Sequence, residues 1–161
     1  MKNVLIPTDF TIKSLKLITA AVARFKNETI NVTLVHALEP DHSISGLLML
    51  NRRMKVNEIY TQEFRDACEV LRNKYASNIC RLTVDFYYGT TKYYKNSYLE
   101  GRQIDAIIFP ADYKLQMPSK ASNNMVNIFG KSKCAIYHEQ IAYSKVKTAF
   151  EEASISELLM A

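Results

Sequence analysis

The side chains able to do chemistry in this 161-residue chain stand where apolar runs stop. Val4-Leu5-Ile6 ends at Pro7-Thr8-Asp9, the run from Asn31 to Leu38 carries His36-Ala37, and the run from Ile104 ends at Pro110-Ala111-Asp112. A hydroxyl and a carboxylate at the end of a strand that then feeds a helix make an edge at which a ligand can be held. Asp105 belongs to the other end of its strand, so Asp9 has no partner base. A lone carboxylate suits accepting a hydroxyl or capping a helix better than general acid–base work. There is no Gly-x-Ser-x-Gly elbow, no P-loop and no Cys near a plausible catalytic His, so no catalytic residue and no enzyme are expected.

The three histidines, His36, His42 and His138, fall on two separate strands and a loop without Cys, Asp or Glu at ligand spacing, so no metal is expected. Cys68, Cys80 and Cys134 are odd in number and far apart, which suits reduced thiols packed as small hydrophobes. The net charge of +5 would attract an anionic partner, but its Lys and Arg residues are dispersed and read as a solvated surface. Tyr87, Tyr88, Tyr93, Tyr94 and Tyr98 interleave with Lys92 and Lys95. Such a patch can stack bases. Tyrosines at strand and helix spacing are better accounted for by packing, and nucleic acid is not expected as a partner.

These residues need a scaffold. Val4–Ile6 and Asn31–Leu38 read as strands covered on both faces. From Thr11, a candidate N-cap, Leu15, Ile18, Val22 and Phe25 recur at helical spacing, and Tyr60, Phe64, Ala67, Leu71 and Tyr75 predict a long helix. Leu82, Val84, Phe86 and Tyr88 alternate with polar neighbours, the pattern of a strand at a sheet edge. Gly89 ends it, Thr90 or Thr91 caps a helix to about Glu100, and Gly101 takes the C-terminal glycine position. Ile104–Pro110 is a further buried strand, Met125, Ile128 and Phe129 form a short helical face, and Cys134–His138 is the last strand. Alternating strands and helices specify an α/β fold with a mostly parallel sheet covered on both faces.

The length suits one domain, residues 1–140, with residues 141–161 as a helical extension whose Val146, Phe150 and Ala153 keep helical spacing. Leu47–Leu50 are too apolar for a solvated loop and predict a cover over either the crevice or a dimer. No run approaches the about 20 apolar residues of a membrane span, and the N-terminus lacks a signal-peptide pattern, so no membrane association and a cytoplasmic address are expected.

Taken in order, "NVLIPTDFTIKS", "VTLVHALEP", "YYGTTKYYKNSYLEGRQIDAIIFP" and "GKSKCAIYH" resemble the universal stress protein family, of the adenine-nucleotide α-hydrolase-like class. The resemblance covers Lys2 to His138. It implies a five-stranded parallel sheet in the order 3-2-1-4-5, with helices on both faces and a ligand crevice where strands 1 and 4 part. It also implies that Pro7, Thr8, Asp9, His36, Ala37, Pro110, Ala111, Asp112, Ser122, Asn123 and Asn124 line that crevice. ATP-binding members follow strand 4 with Gly-x-x-Gly, about nine residues, then Gly-Ser/Thr, which lets backbone N–H groups reach phosphate. Here Ala111 and Lys114 take the first two glycine positions and Ala121-Ser122 is the counterpart of the last, with Pro110 and Pro118 stiffening the segment.

The resemblance therefore implies a non-catalytic module in stress response or regulation, with ATP binding weak or lost and no cofactor expected. It implies a homodimer through Cys134, Ala135, Ile136, Tyr137 and His138 together with the C-terminal helix, or an unidentified protein partner. The alternative is an ATP- or AMP-binding switch, or a slow ATP hydrolase, using Thr8, Asp9, Ala37, Ala111 and Ser122 to Asn124.

Overall fold

A computed structural model describes residues 1–40, 42–44, 48 and 50–141. The predicted C-terminal helix, beyond residue 141, and Leu47 and Met49 of the predicted cover lie outside the described residues, while Leu48 is exposed and Leu50 opens a helix. Five strands, β1 (Lys2–Pro7), β2 (Ile30–Ala37), β3 (Ile79–Tyr87), β4 (Ala106–Pro110) and β5 (Ala135–Glu139), form one parallel sheet in the order β3-β2-β1-β4-β5. This is the order the resemblance implied. β1 lies at the centre, and Val4, Leu5 and Ile6 are fully buried. A strand covered on both faces cannot alternate polar and apolar residues, so it reads as a continuous apolar run.

Between the strands run α1 (Lys16–Arg24), α2 (Leu50–Ile59), α3 (Gln62–Lys74), α4 (Lys92–Gly101) and α5 (Met125–Phe129). Leu17, Ile18 and Ala21 of α1 and Phe64, Ala67, Cys68 and Leu71 of α3 cover one face of the sheet. Tyr98 and Leu99 of α4 and Met125 and Phe129 of α5 cover the other. Burial pushes the Cys68 thiol up to about 12, which fits its use as a small core hydrophobe. Tyr87 and Tyr98 are core residues meeting edge to face at 5.1 Å, while Tyr93 stays exposed.

Local chemistry moved three boundaries. Tyr60 does not open the long helix; Thr61 does, as an extended N-cap whose hydroxyl accepts from Phe64 N–H, and Leu50–Ile59 forms a separate helix before it. Thr11 starts a 3-10 turn, Lys13–Leu15, by accepting from Ser14 N–H, and α1 follows from that turn. Gly101 is the last residue of α4, and the left-handed residue beyond it is Gln103, with φ 51°. Apolar spacing places the helix; at α3 and α4 the hydroxyl of the capping threonine, Thr61 or Thr91, marks where it starts.

Candidate functional site

The chain leaves β1 through Thr8, Asp9 and Phe10, and Phe10 is in the left-handed region at φ 60°. That turn drives its ring inward. It stacks on Phe86 at 5.4 Å and meets Phe64 at 5.0 Å, His36 at 5.3 Å and Tyr60 at 5.6 Å. The space beside the ends of β1 and β2 is filled by the protein's own aromatic rings.

Thr8 and Asp9 are buried, at 0% and 2% exposure, and a buried polar group must find partners. Thr8 Oγ1 accepts from Phe10 N–H at 3.1 Å and lies 2.9 Å from Ser14 Oγ. Ser14 in turn donates to the Thr11 carbonyl at 2.8 Å, so Thr8 is the donor to Ser14. Asp9 Oδ1 accepts from the amide and hydroxyl of Thr11, at 3.1 and 2.6 Å. Its Oδ2 accepts from the Tyr113 hydroxyl and, at 2.9 Å, from Gln116 N–H. Both carboxylate oxygens are thereby saturated within the chain, and the segment after β4 is strapped across the end of β1.

His36 is fully buried. Its Nδ1 lies 2.7 Å from the Thr8 carbonyl, which only accepts, so Nδ1 carries the proton. Its Nε2 lies 2.9 Å from Ser122 Oγ and, in the neutral ring, accepts from that hydroxyl. A hydroxyl on an imidazole whose other nitrogen is oriented by a third group is the arrangement of an activated nucleophile. Here Ser122 is only 7% exposed and its oxygen also accepts from Ser119 N–H at 3.2 Å. The pair acts as a bolt between β2 and the strap. Glu39 N–H to the Ala121 carbonyl at 2.7 Å and Asn123 N–H to the Ala37 carbonyl at 2.9 Å secure the same junction.

Burial holds His36 below its ordinary 6.5, against the opposing pulls of the Thr8 carbonyl and the Asp9 charge. The unfolded chain therefore takes up this proton first, so stability is full above about pH 6.5 and falls as pH drops from there towards the folded value. Urea midpoints measured from about pH 7.5 to about pH 5 should show that decline, and His36→Gln should flatten it. An equal slope in the variant would assign the decline to other groups.

The remaining expected crevice residues divide. Pro7 pairs in register with Val35 inside the sheet. Ala111 and Asp112 turn away towards β5: Ala111 N–H donates to the Glu139 carbonyl, and Asp112 Oδ1 accepts from Ile141 N–H, both at 2.8 Å. Asn124 caps α5, its Oδ1 accepting from Val126 and Asn127 N–H. The amides at that helix start, which an anion would need, already have an acceptor. Pro110 lines an outer groove of about 630 Å3 with Tyr113, Leu115, Met117 and Val126. Cys134 precedes β5, whose Ala135–Glu139 pair with β4 on one side and end the sheet on the other.

Tyr113, Gln116 and Phe10 were not picked out by the sequence. Tyr113 offered a weak signal, an aromatic residue in an otherwise polar run, with Lys13 4.8 Å from its ring centre. Among the described residues there is no group of three or more His, Cys, Asp or Glu able to hold a metal, and no helix long and apolar enough to cross a membrane.

No protein-family model matches this chain, and no curated protein does. Solved structures do. The hypothetical protein PH0823 superposes with a TM-score of 0.54 at 18% identity, over 89% of this chain and 99% of that one. Universal stress protein UspA from Lactobacillus plantarum gives 0.54 at 17% identity, over 85% and 96%. A universal stress protein in complex with cAMP gives 0.52 at 12% identity, over 88% and 98%. At such identities the likeness establishes the fold: this chain has the fold of the universal stress proteins.

Proposed function

We propose that this chain is a universal-stress-protein-like module that acts in stress response or regulation without catalysis, through association, with its binding of ATP weak or lost. The observation that carries the reading is the closed crevice. Asp9 spends both oxygens on Thr11, Tyr113 and Gln116, and Asn124 spends its oxygen on the amides that open α5. The segment from Ala111 to Asn124 carries no glycine, so its backbone has no ready way to present N–H groups to a phosphate. A ligand entering here would first have to displace bonds the chain already makes.

The second reading is a nucleotide-binding switch or slow ATP hydrolase, and what favours it is the fold neighbour solved with cAMP. Thermal unfolding with ATP, ADP, AMP and cAMP separates the two. No shift is expected with any of them. Stabilisation approaching roughly 2.7 kcal/mol at a hundredfold excess over Kd would establish a tight site and overturn the closed-crevice reading.

A further inference from the structure

β3 ends the sheet, and among the described residues no other strand pairs with its outer edge. Leu38 N–H donates to the Tyr87 carbonyl at 2.9 Å, which fixes the parity of the parallel ladder. Odd-numbered residues from Arg81 to Tyr87 turn N–H and C=O towards β2, and Leu82, Val84 and Phe86 turn theirs outward. Both ends of this outward stretch are closed. At one end Cys80 is the extra residue of a bulge, since Ile30 pairs with Ile79 and Asn31 with Arg81. At the other, Phe86 N–H is taken by Asp85 Oδ1 at 2.9 Å. What is left is a short unit centred on Thr83, presenting the backbone groups of Leu82 and Val84.

The side chains around that unit are self-complementary. Leu82 and Val84 are half-buried on the α3 face, where with Cys68, Arg65 and Arg72 they line a groove of about 380 Å3. Arg81 and Asp85 stand on the opposite face, either side of Thr83. Arg81 is exposed, and the Asp85 carboxylate is held in place at the rim, 31% exposed, by Tyr98 and Arg102.

We propose that this edge is a self-association surface, pairing antiparallel with the same edge of a second copy about a two-fold axis through Thr83. In that register Leu82 of one copy lies opposite Val84 of the other, and each such pair exchanges both of its outward N–H and C=O groups. Arg81 of one copy lies opposite Asp85 of the other, placing opposite charges across the junction twice. The two-fold axis is perpendicular to the sheet, so both Leu82–Val84 contacts fall on the α3 face, between the two grooves, whose outer walls carry Arg65, Asp66, Glu69 and Arg72. An unrelated extended peptide could add to the edge but would not supply this charge pairing by symmetry.

Sedimentation of the full chain up to high micromolar concentration tests this, with thermal unfolding to confirm that each variant folds. A dimer is expected. Arg81→Glu, which sets like charges opposite each other, should weaken it roughly tenfold or more. Val84→Pro, which removes an outward donor and no ladder bond to β2, should do the same. His138→Pro, the matching change on the outer edge of β5, should leave it intact. A monomer at every concentration overturns the proposal. So does a dimer that both β3 variants leave unchanged, and dissociation by His138→Pro alone moves the interface to β5.

Discussion

Phe10→Ala should lower the stability of this protein by about 3–5 kcal/mol, the range for emptying a buried aromatic site. The ring is 8% exposed and sits among His36, Tyr60, Phe64 and Phe86, so its loss removes the common neighbour of four other rings. Aromatic pairs add to the burial term, and the surrounding rings, anchored on β2, β3, α3 and the turn before α3, have little freedom to collapse into the gap. Against a typical total of about 5–15 kcal/mol, such a loss brings the chain close to unfolding at physiological temperature. Backbone geometry supplies a second, sharper expectation. Phe10 adopts φ 60°, where any Cβ costs about 1 kcal/mol or more and glycine costs none. Phe10→Gly, which loses the same ring, should therefore be more stable than Phe10→Ala by about 1 kcal/mol, the reverse of the usual order. Urea denaturation of both variants decides it. A loss below about 1 kcal/mol for alanine would mean that the ring is not buried as described.

Asp9→Ala should cost about 2–4 kcal/mol, because hydrogen bonds to a charged group are worth about 1.5–3 kcal/mol each and act here as a coupled set. Truncation leaves the Tyr113 hydroxyl and the Gln116 amide facing a hole. Asp9→Asn keeps the shape and one acceptor, so it should cost less. The distinguishing readout is local: hydrogen exchange at the Gln116 amide should accelerate strongly in Asp9→Ala, since its acceptor is gone. Unchanged protection at Gln116 in a folded Asp9→Ala protein would show that the strap is held by something other than this carboxylate. Tyr113→Phe should give a smaller effect of the same kind, because Gln116 keeps its acceptor.

Both predictions concern residues close to the opening Pro-Thr-Asp turn, and they show how unevenly the sequence reported on that region. Strand β1 was legible because a strand buried on both faces has to be an unbroken apolar run, and Val4-Leu5-Ile6 is one. Asp9 was legible as a carboxylate suited to accepting a hydroxyl or capping a helix, and in the fold both of its oxygens accept hydrogen bonds from within the chain. Its partners were not legible. Tyr113 and Gln116 lie more than a hundred positions away in a segment without periodicity, and which of its side chains turn inward depends on where β4 ends and how the strap crosses β1. His36 was expected at the crevice rim and is instead fully enclosed, because Ser122 and the Thr8 carbonyl close over both ring nitrogens.

The sequence by itself determined the alternation of strands and helices, the burial of β1 on both faces, the edge character of β3 and the absence of glycine from Ala111 to Phe129. These depend on the order and type of residues within short windows, where burial, backbone freedom and side-chain period leave a local mark. Only the tertiary structure decided what occupies the crevice. A glycine-free segment following β4 can leave the end of β1 open or close over it. The choice between them rests on whether Tyr113, Gln116 and Ser122 reach Asp9 and His36. That reach depends on the path of the strap across three strands, and so on contacts between residues that no sequence window holds together.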